Sequence, residues 1–285
     1  MVRYVLRLAL VASFGIQVLG QAPPTTPPTF EVASIKRNVS GDPARGRTEA
    51  GGRFTATSAP ILQFIRLAYD NLTTDRILNV PDWVTSERYD LVAKAPEGAG
   101  FSPPAGVGPF MRSLLRDRFG FEAHFEMRDM PTYELVLARR DGRLGAKLQQ
   151  ASCDCTGNRA ETGCRRGAPL LSSPEFGGMA CALLGIPGRN VMHGYPIATF
   201  AQGLAGRVER VVVDKTGLTG TWNAELEFTP DQPPPSGQGL GIAPPPGDAP
   251  SLFTALQEQL GLKMQPSRGP VEVLVIDHIE RPAPD

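Results

Sequence analysis

The sequence has little of what most readily betrays a chemistry. Its 285 residues include three histidines and two tryptophans, and lysine plus arginine match aspartate plus glutamate at 29 each. With no excess of positive charge there is no electrostatic footprint for a polyanion, so nucleic acid is not expected as a partner. His124, His193 and His278 fall in no H-x-x-x-H or H-E-x-x-H spacing, so they are read as surface or edge imidazoles and no metal site is expected. No serine stands in a G-x-S-x-G elbow, and no G-x-x-x-x-G-K-[ST] or G-x-G-x-x-G loop opens a helix. That removes the signatures of the α/β-hydrolases, the P-loop proteins and the dinucleotide binders. After the first 22 residues no segment is apolar for the roughly 20 residues a membrane span requires, so no transmembrane segment is expected in the mature form.

What is present begins at the N-terminus. Arg3 and Arg7 precede an apolar run over residues 8–19 and the small residues Gly20 and Ala22, the layout of a secretory signal peptide over residues 1–22. A Pro/Thr-rich linker, residues 23–29, follows. The mature chain is therefore expected in the periplasm or outside the cell. Cysteine usage agrees: Cys153, Cys155, Cys164 and Cys181 are an even set in one stretch, and an oxidising compartment favours two disulfides. A bridge from Cys153 to Cys155 would close a very tight ring, so each is expected to pair with Cys164 or Cys181. A zinc site is the rival, but the C-x-C spacing lacks the usual pair of knuckles.

Internal repetition is the strongest organising signal. Gly188-Arg189 stands 136 positions after Gly52-Arg53, and Pro196 stands 136 after Pro60; each proline leads into an apolar-periodic helix. A short strand and then a strictly alternating one come next in each copy, the latter carrying Tyr89, Leu91 and Ala93 in one and Trp222, Ala224, Leu226 and Phe228 in the other. Pro/Gly-rich linkers then feed second helices, with Phe110, Met111, Leu114 and Leu115 in the first and Leu252, Phe253, Leu256 and Leu260 in the second at the spacing of a buried face. Gly120 and Gly261 stand where left-handed caps are wanted. Two strands are expected after each cap, the first of them with Phe121, Ala123 and Phe125 inward. The fold expected is α+β: two tandem homologous β-α-β-β-α-β-β domains with mixed sheets, residues 30–148 and 188–282, joined by a cysteine-containing connector over residues 149–187.

The stretch VVVDKTGLTG, residues 211–220, nearly reproduces the phosphorylation motif of P-type ion pumps. A phosphate-accepting aspartate needs a magnesium site and charge-stabilising groups around it, and the Gly-Asp-Gly context that would supply them is missing. Asp214 is therefore read as a turn former between two strands.

The segments FEVASIKRN, VPDWVTSERYDLVAKAP, VVVDKTGLTGTWNAELEF, SLFTALQEQLGLKM and GPVEVLVIDHIERP together resemble a family of secreted proteins of unknown function expanded in soil-dwelling acidobacteria. The resemblance runs from Phe30 almost to the C-terminus. It implies export and brings no catalytic residues to carry over. More weakly, each half resembles the short N-terminal domain of secretins and TonB-dependent receptors, which implies a protein-interaction module.

Other candidates have structural readings. Asp277 and His278 are adjacent in a strand and so point to opposite faces. The carboxylates alternating over residues 122–126 and 225–227 are expected on solvated strand faces. Trp83 and Trp222 are expected in the core or beneath a lid. No catalytic, cofactor-binding or metal-binding residue is singled out. The function expected is non-enzymatic binding of a protein, peptide or envelope component through sheet edges or the cleft between the halves. The alternative is a secreted hydrolase whose site lies between the halves.

Overall fold

The computed structural model describes residues 27–49, 51–70, 72–99, 101, 106–156, 181–230 and 249–283. The expected signal peptide, residues 23–26 of the Pro/Thr linker, Cys164 and the centres of both Pro/Gly-rich linkers lie outside the described residues. The first half runs β1 (Val32–Asn38), β2 (Arg45–Glu49), β3 (Arg53–Pro60), α1 (Ile61–Ala68), a 3-10 turn (Thr74–Arg76), β4 (Ile77–Leu78), α2 (Asp82–Ser86), β5 (Arg88–Lys94), α3 (Gly108–Phe119) and β6 (Glu122–Leu137). The second runs β7 (Leu148–Gln150), β8 (Ala182–Ile186), β9 (Arg189–Tyr195), α4 (Ile197–Val208), β10 (Val212–Asp214), β11 (Trp222–Glu227), α5 (Leu252–Ala255) continuing as a π turn (Leu256–Leu260), and β12 (Leu262–His278). The protein is thus α+β, with few helices and both mixed and antiparallel sheets.

Helices form where apolar residues recur at three-and-four spacing. Ile61, Phe64, Ile65 and Ala68 make the buried face of α1, and Ile197, Phe200, Ala201 and Leu204 that of α4. Fully burying each large apolar side chain contributes about 1.5–3 kcal/mol, which is what holds short helices of this kind in place. Gly120 and Gly261 end their helices at φ 56° and 69°, a conformation that disfavours a β-carbon.

The strands form three four-stranded sheets. Two are antiparallel, in the orders β1-β5-β3-β2 and β7-β11-β9-β8; the third is mixed, in the order β10-β6-β12-β4. In the mixed sheet β6 and β12 pair antiparallel from Leu262↔Leu137 to His278↔Glu122, while β4 adds parallel to β12 and β10 adds parallel to β6. Each half therefore contributes a short strand beside the other half's long one.

This corrects the expectation of two strands after each capping glycine, because β6 is one strand of 16 residues and β12 one of 17. Pro131 and Pro266 lack a ladder N–H, yet each sits inside a continuous ladder; pairing with the partner strand overrides the local break. A long strand lets one element serve two cores. Leu274 and Ile276 of β12 pack with Phe64, Met111 and Phe119, whereas Leu262 and Met264 of the same strand pack with Phe200, Leu226 and Leu256.

The stretch expected as a connector also holds secondary structure: β7 pairs with β11, and β8 pairs with β9. Cys155 and Cys181 form a disulfide with their Cα atoms 5.8 Å apart, and the Cys155 N–H donates to the Gly194 carbonyl at 2.7 Å. Cys153 is disulfide-bonded as well. Among the described residues no helix is long and apolar enough to cross a membrane.

Candidate functional site

A cleft of about 920 Å³ opens between the two halves. One wall comes from α4 and the pair β8–β9, through Leu183, Asn190, Met192 and Phe200; the other comes from the end of α1 and the loop after it, through Arg66, Tyr69 and Thr73, with Arg112 of α3. Phe125 of β6 and Glu272 of β12 belong to the same cleft. Their register explains why: Phe125 pairs with Leu274 and Met127 with Glu272, so Phe125, Met127 and Glu272 share one face of the mixed sheet between the two cores.

Phe125 corrects an expectation. The strict alternation of its strand assigns it to the core, yet it is 47% exposed. It lies at the margin of the first core: the residue directly opposite, Leu274, is fully buried in that core, while the Phe125 ring packs edge-on against Tyr69 at the rim with centroids 5.8 Å apart. Phe253, expected on a buried helix face, is likewise 40% exposed and meets Tyr133 edge-on.

The polar groups of the cleft are mostly anchored. Arg66 Nε donates to the Leu72 carbonyl and Arg76 Nε to the Glu272 carbonyl, both at 2.8 Å. Arg112 Nη1 donates to the Ala68 carbonyl at 2.5 Å, and its guanidinium lies 5.8 Å from the centre of the Tyr69 ring. Burial raises the Tyr69 phenol above its ordinary pKa, opposed in part by Arg112. Arg207 donates to the Asn190 side-chain oxygen at 3.3 Å, which orients that buried amide. At the edge of the cleft the Thr74 N–H donates to the Glu209 carboxylate at 3.1 Å, linking the halves.

Two glycines of α4 shape the cavity. Gly203 and Gly206 both line it, and a β-carbon built on either would meet no atom within 4 Å. Glycine inside a helix costs roughly 0.5–1 kcal/mol relative to alanine, so these positions leave open a space that ordinary helix formers would narrow.

The residues singled out from sequence lie elsewhere. His124 meets Asp277 across the β6–β12 ladder, Nδ1 to the carboxylate at 2.8 Å, and this hydrogen bond raises the imidazole above its ordinary pKa. Asp277 and His278 do not pair with each other; His278 lies 3.9 Å from Glu280. His193 is buried and sits 3.2 Å from Glu225, while Glu227 pairs with Lys147 at 3.1 Å and Arg189 at 3.3 Å. The Asp214 carboxylate accepts from the Thr216 N–H at 2.9 Å and hydroxyl at 2.8 Å, an Asx turn. Trp222 is in the second core, and Trp83 is covered by the Arg281 guanidinium at 5.1 Å. None of these lines the cleft. Among the described residues no group of three or more His, Cys, Asp or Glu could hold a metal ion.

Residues 62–279, more than half of the chain, match the DUF3738 family, described as a protein of unknown function. The chain belongs to the DUF3738 family. The matched span begins inside α1 and ends just beyond β12, so it takes in both walls of the cleft. No curated protein and no solved structure shows a match. The sequence resemblance to a family of unknown function therefore holds at that level, and the signals for the cleft residues were weak ones: an arginine in the last turn of α1, another in the first half of α3, and glycines within α4.

Proposed function

We propose that this DUF3738 protein is an exported binding protein without catalysis of its own, and that it holds a protein or peptide segment of the cell envelope in the cleft between its halves. The observation that carries the reading is the cleft itself: about 920 Å³, within the size of known ligand sites, apolar-walled, and kept open by Gly203 and Gly206. β8 is an edge strand at its rim, which suits an extended segment that can pair with exposed backbone. Export is supported by the N-terminal pattern of Arg3, Arg7 and the following apolar run, and by the Cys155–Cys181 bridge. The resemblance to secreted proteins of soil acidobacteria points the same way, and the likeness to secretin-type domains agrees with an interaction role.

We further infer that the halves arose by tandem duplication. The two antiparallel sheets follow the same relative chain order, edge to edge. Each also carries the same irregularity. Ser58 in β3 has φ 52° and donates its N–H to the Asp90 carboxylate at 2.8 Å; Gly194 in β9, 136 positions later, has φ 77° and donates to the Asn223 side chain at 3.1 Å. A shared bulge with a shared side-chain partner is a more particular likeness than strand order.

The alternative, a secreted hydrolase, draws on the His124–Asp277 pair, which resembles a base and its orienting carboxylate. Neither residue lines the cleft, and among the described residues no Ser, Thr or Cys side chain hydrogen-bonds to His124. Thr73, the buried hydroxyl in the cleft, has no hydrogen-bond partner.

Equilibrium dialysis of the full chain against a tryptic digest of envelope proteins, read by mass spectrometry, tests the reading. Retention of a subset of peptides that is lost on Gly203→Leu is expected, with no new termini. New peptide termini would favour the hydrolase; equal retention by the variant would move the site out of the cleft.

A further inference from the structure

Three arginines of the cleft are held in place without being neutralised. Arg66, Arg76 and Arg112 each give one N–H to a backbone carbonyl, and among the described residues none of them makes an ion pair within 4.0 Å. A guanidinium has five donors, so each arrives in the cleft tethered at one end with donors still unspent. The acidic groups lining the same cavity are Asp70 and Glu272, which leaves one net positive charge there. Beside them the Thr73 hydroxyl, 5% exposed, has no hydrogen-bond partner. Buried hydroxyls in folded proteins are nearly always paired, so this orphan, like the Asp75 carboxylate oxygen two residues on, marks a loop whose polar groups the chain leaves unsatisfied next to the arginines.

The remainder of the cavity has a different character. Leu183, Phe125, Ala205 and Val211 offer apolar surface, and Asn190 offers a buried amide fixed by Arg207. A ligand that fits has one negative group at one end and an apolar body at the other. The net single charge suits a carboxylate better than a dianionic phosphate, and the planar fork of arginine matches a carboxylate with two parallel hydrogen bonds.

We propose that the arginine end of the cleft captures the C-terminal carboxylate of a peptide with apolar last residues. This rests on the binding reading above and names the ligand class for that site. The carboxylate lies among Arg66, Arg76 and Arg112. The last side chains lie against the wall of α4 and β9, and Asn190 pairs with a peptide group of the ligand.

The test uses the full chain and three probes measured by isothermal titration calorimetry: acetyl-Ala-Val-Leu-Phe with a free carboxylate, the same peptide as its C-terminal amide, and decanoate. The free acid should bind roughly tenfold or more tighter than the amide, the scale of a hydrogen bond to a charged group. Arg76→Gln and Arg112→Gln should each erase most of that gap and leave the amide unchanged. Arg112 is solvent-exposed, so its variant reports even if Arg76→Gln fails to fold. Equal binding of acid and amide would overturn the carboxylate assignment while the cleft remained a peptide site. Decanoate binding tighter than the acid would overturn the peptide. No binding of either peptide at millimolar concentration would overturn both this inference and the reading on which it rests.

Discussion

In the first half a groove of about 590 Å³ runs between β2 and α1, lined by Gly46, Arg47, Leu62 and Leu67; in the second half the matching space between β8 and α4 opens into the cleft of about 920 Å³. The strand registers match. Arg47 pairs with Thr55 and Leu184 with Val191, 136 positions after Thr55. On the helices, Leu67 of the first half stands 136 positions before Gly203. The same relative strand order thus carries two different surfaces. Side-chain size along the helix decides how far each groove is filled, and a neighbour decides what the space meets: the second groove faces Arg76, Arg112 and Thr73 of the first half, and Arg66 lines both.

The largest expected effect tests whether the two regions can be considered separately at all. Leu274→Ala removes a fully buried side chain from the first core and Leu262→Ala one from the second, and each should cost about 2–5 kcal/mol. Because both residues lie on β12, urea denaturation followed by circular dichroism should show one transition in each variant. A biphasic curve would mean that the halves unfold independently.

Next in size, Cys155→Ser removes a bridge spanning 26 residues, with an expected loss of about 2–4 kcal/mol. Hydrogen exchange should rise in β8, the rim of the second groove, and stay unchanged in β2, the rim of the first. A smaller effect of opposite sign is expected for Gly203→Ala, a gain of about 0.5–1 kcal/mol read as a higher melting temperature, since nothing stands within 4 Å of the added carbon. A loss would show that the space is not open.

The smallest effect concerns His124, which is exposed and outside the cleft. Its hydrogen bond to Asp277 raises the folded imidazole pKa above the unfolded value. The attendant stabilisation is therefore fully present below the unfolded pKa and lost as pH rises through the folded one. An NMR titration should place His124 above the ordinary value of about 6.5, with Asp277→Asn bringing it back. A pKa unchanged by that substitution would mean that the pair does not form in solution.

Much of the fold could be read from periodicity, and much of the site could not. The apolar spacing of Ile61, Phe64 and Ile65 and of Ile197, Phe200 and Ala201 marks both helices, and Gly120 and Gly261 mark their ends, because helix faces and caps are local properties. The pairing of β4 with β12 and β10 with β6 joins residues far apart in the chain, and no local pattern encodes it. The same holds for the cleft. Arg66, Arg76 and Arg112 look like ordinary surface arginines until the chain reversal brings them into one cavity, and Phe125 follows the alternation of a core residue although it lies at the margin of the core. Sequence reasoning found the elements that build the cleft and missed the side chains that give it a chemistry.

Hydrogen–deuterium exchange of the full chain with and without acetyl-Ala-Val-Leu-Phe free acid compares the two grooves within one experiment. Protection is expected over residues 183–192 and 199–206 of the second half and over residues 72–76 of the facing loop, with no change over residues 46–48 and 62–67. Protection of residues 46–48 and 62–67 instead, or of neither groove at saturating peptide, would contradict the assignment of the cleft as the binding site.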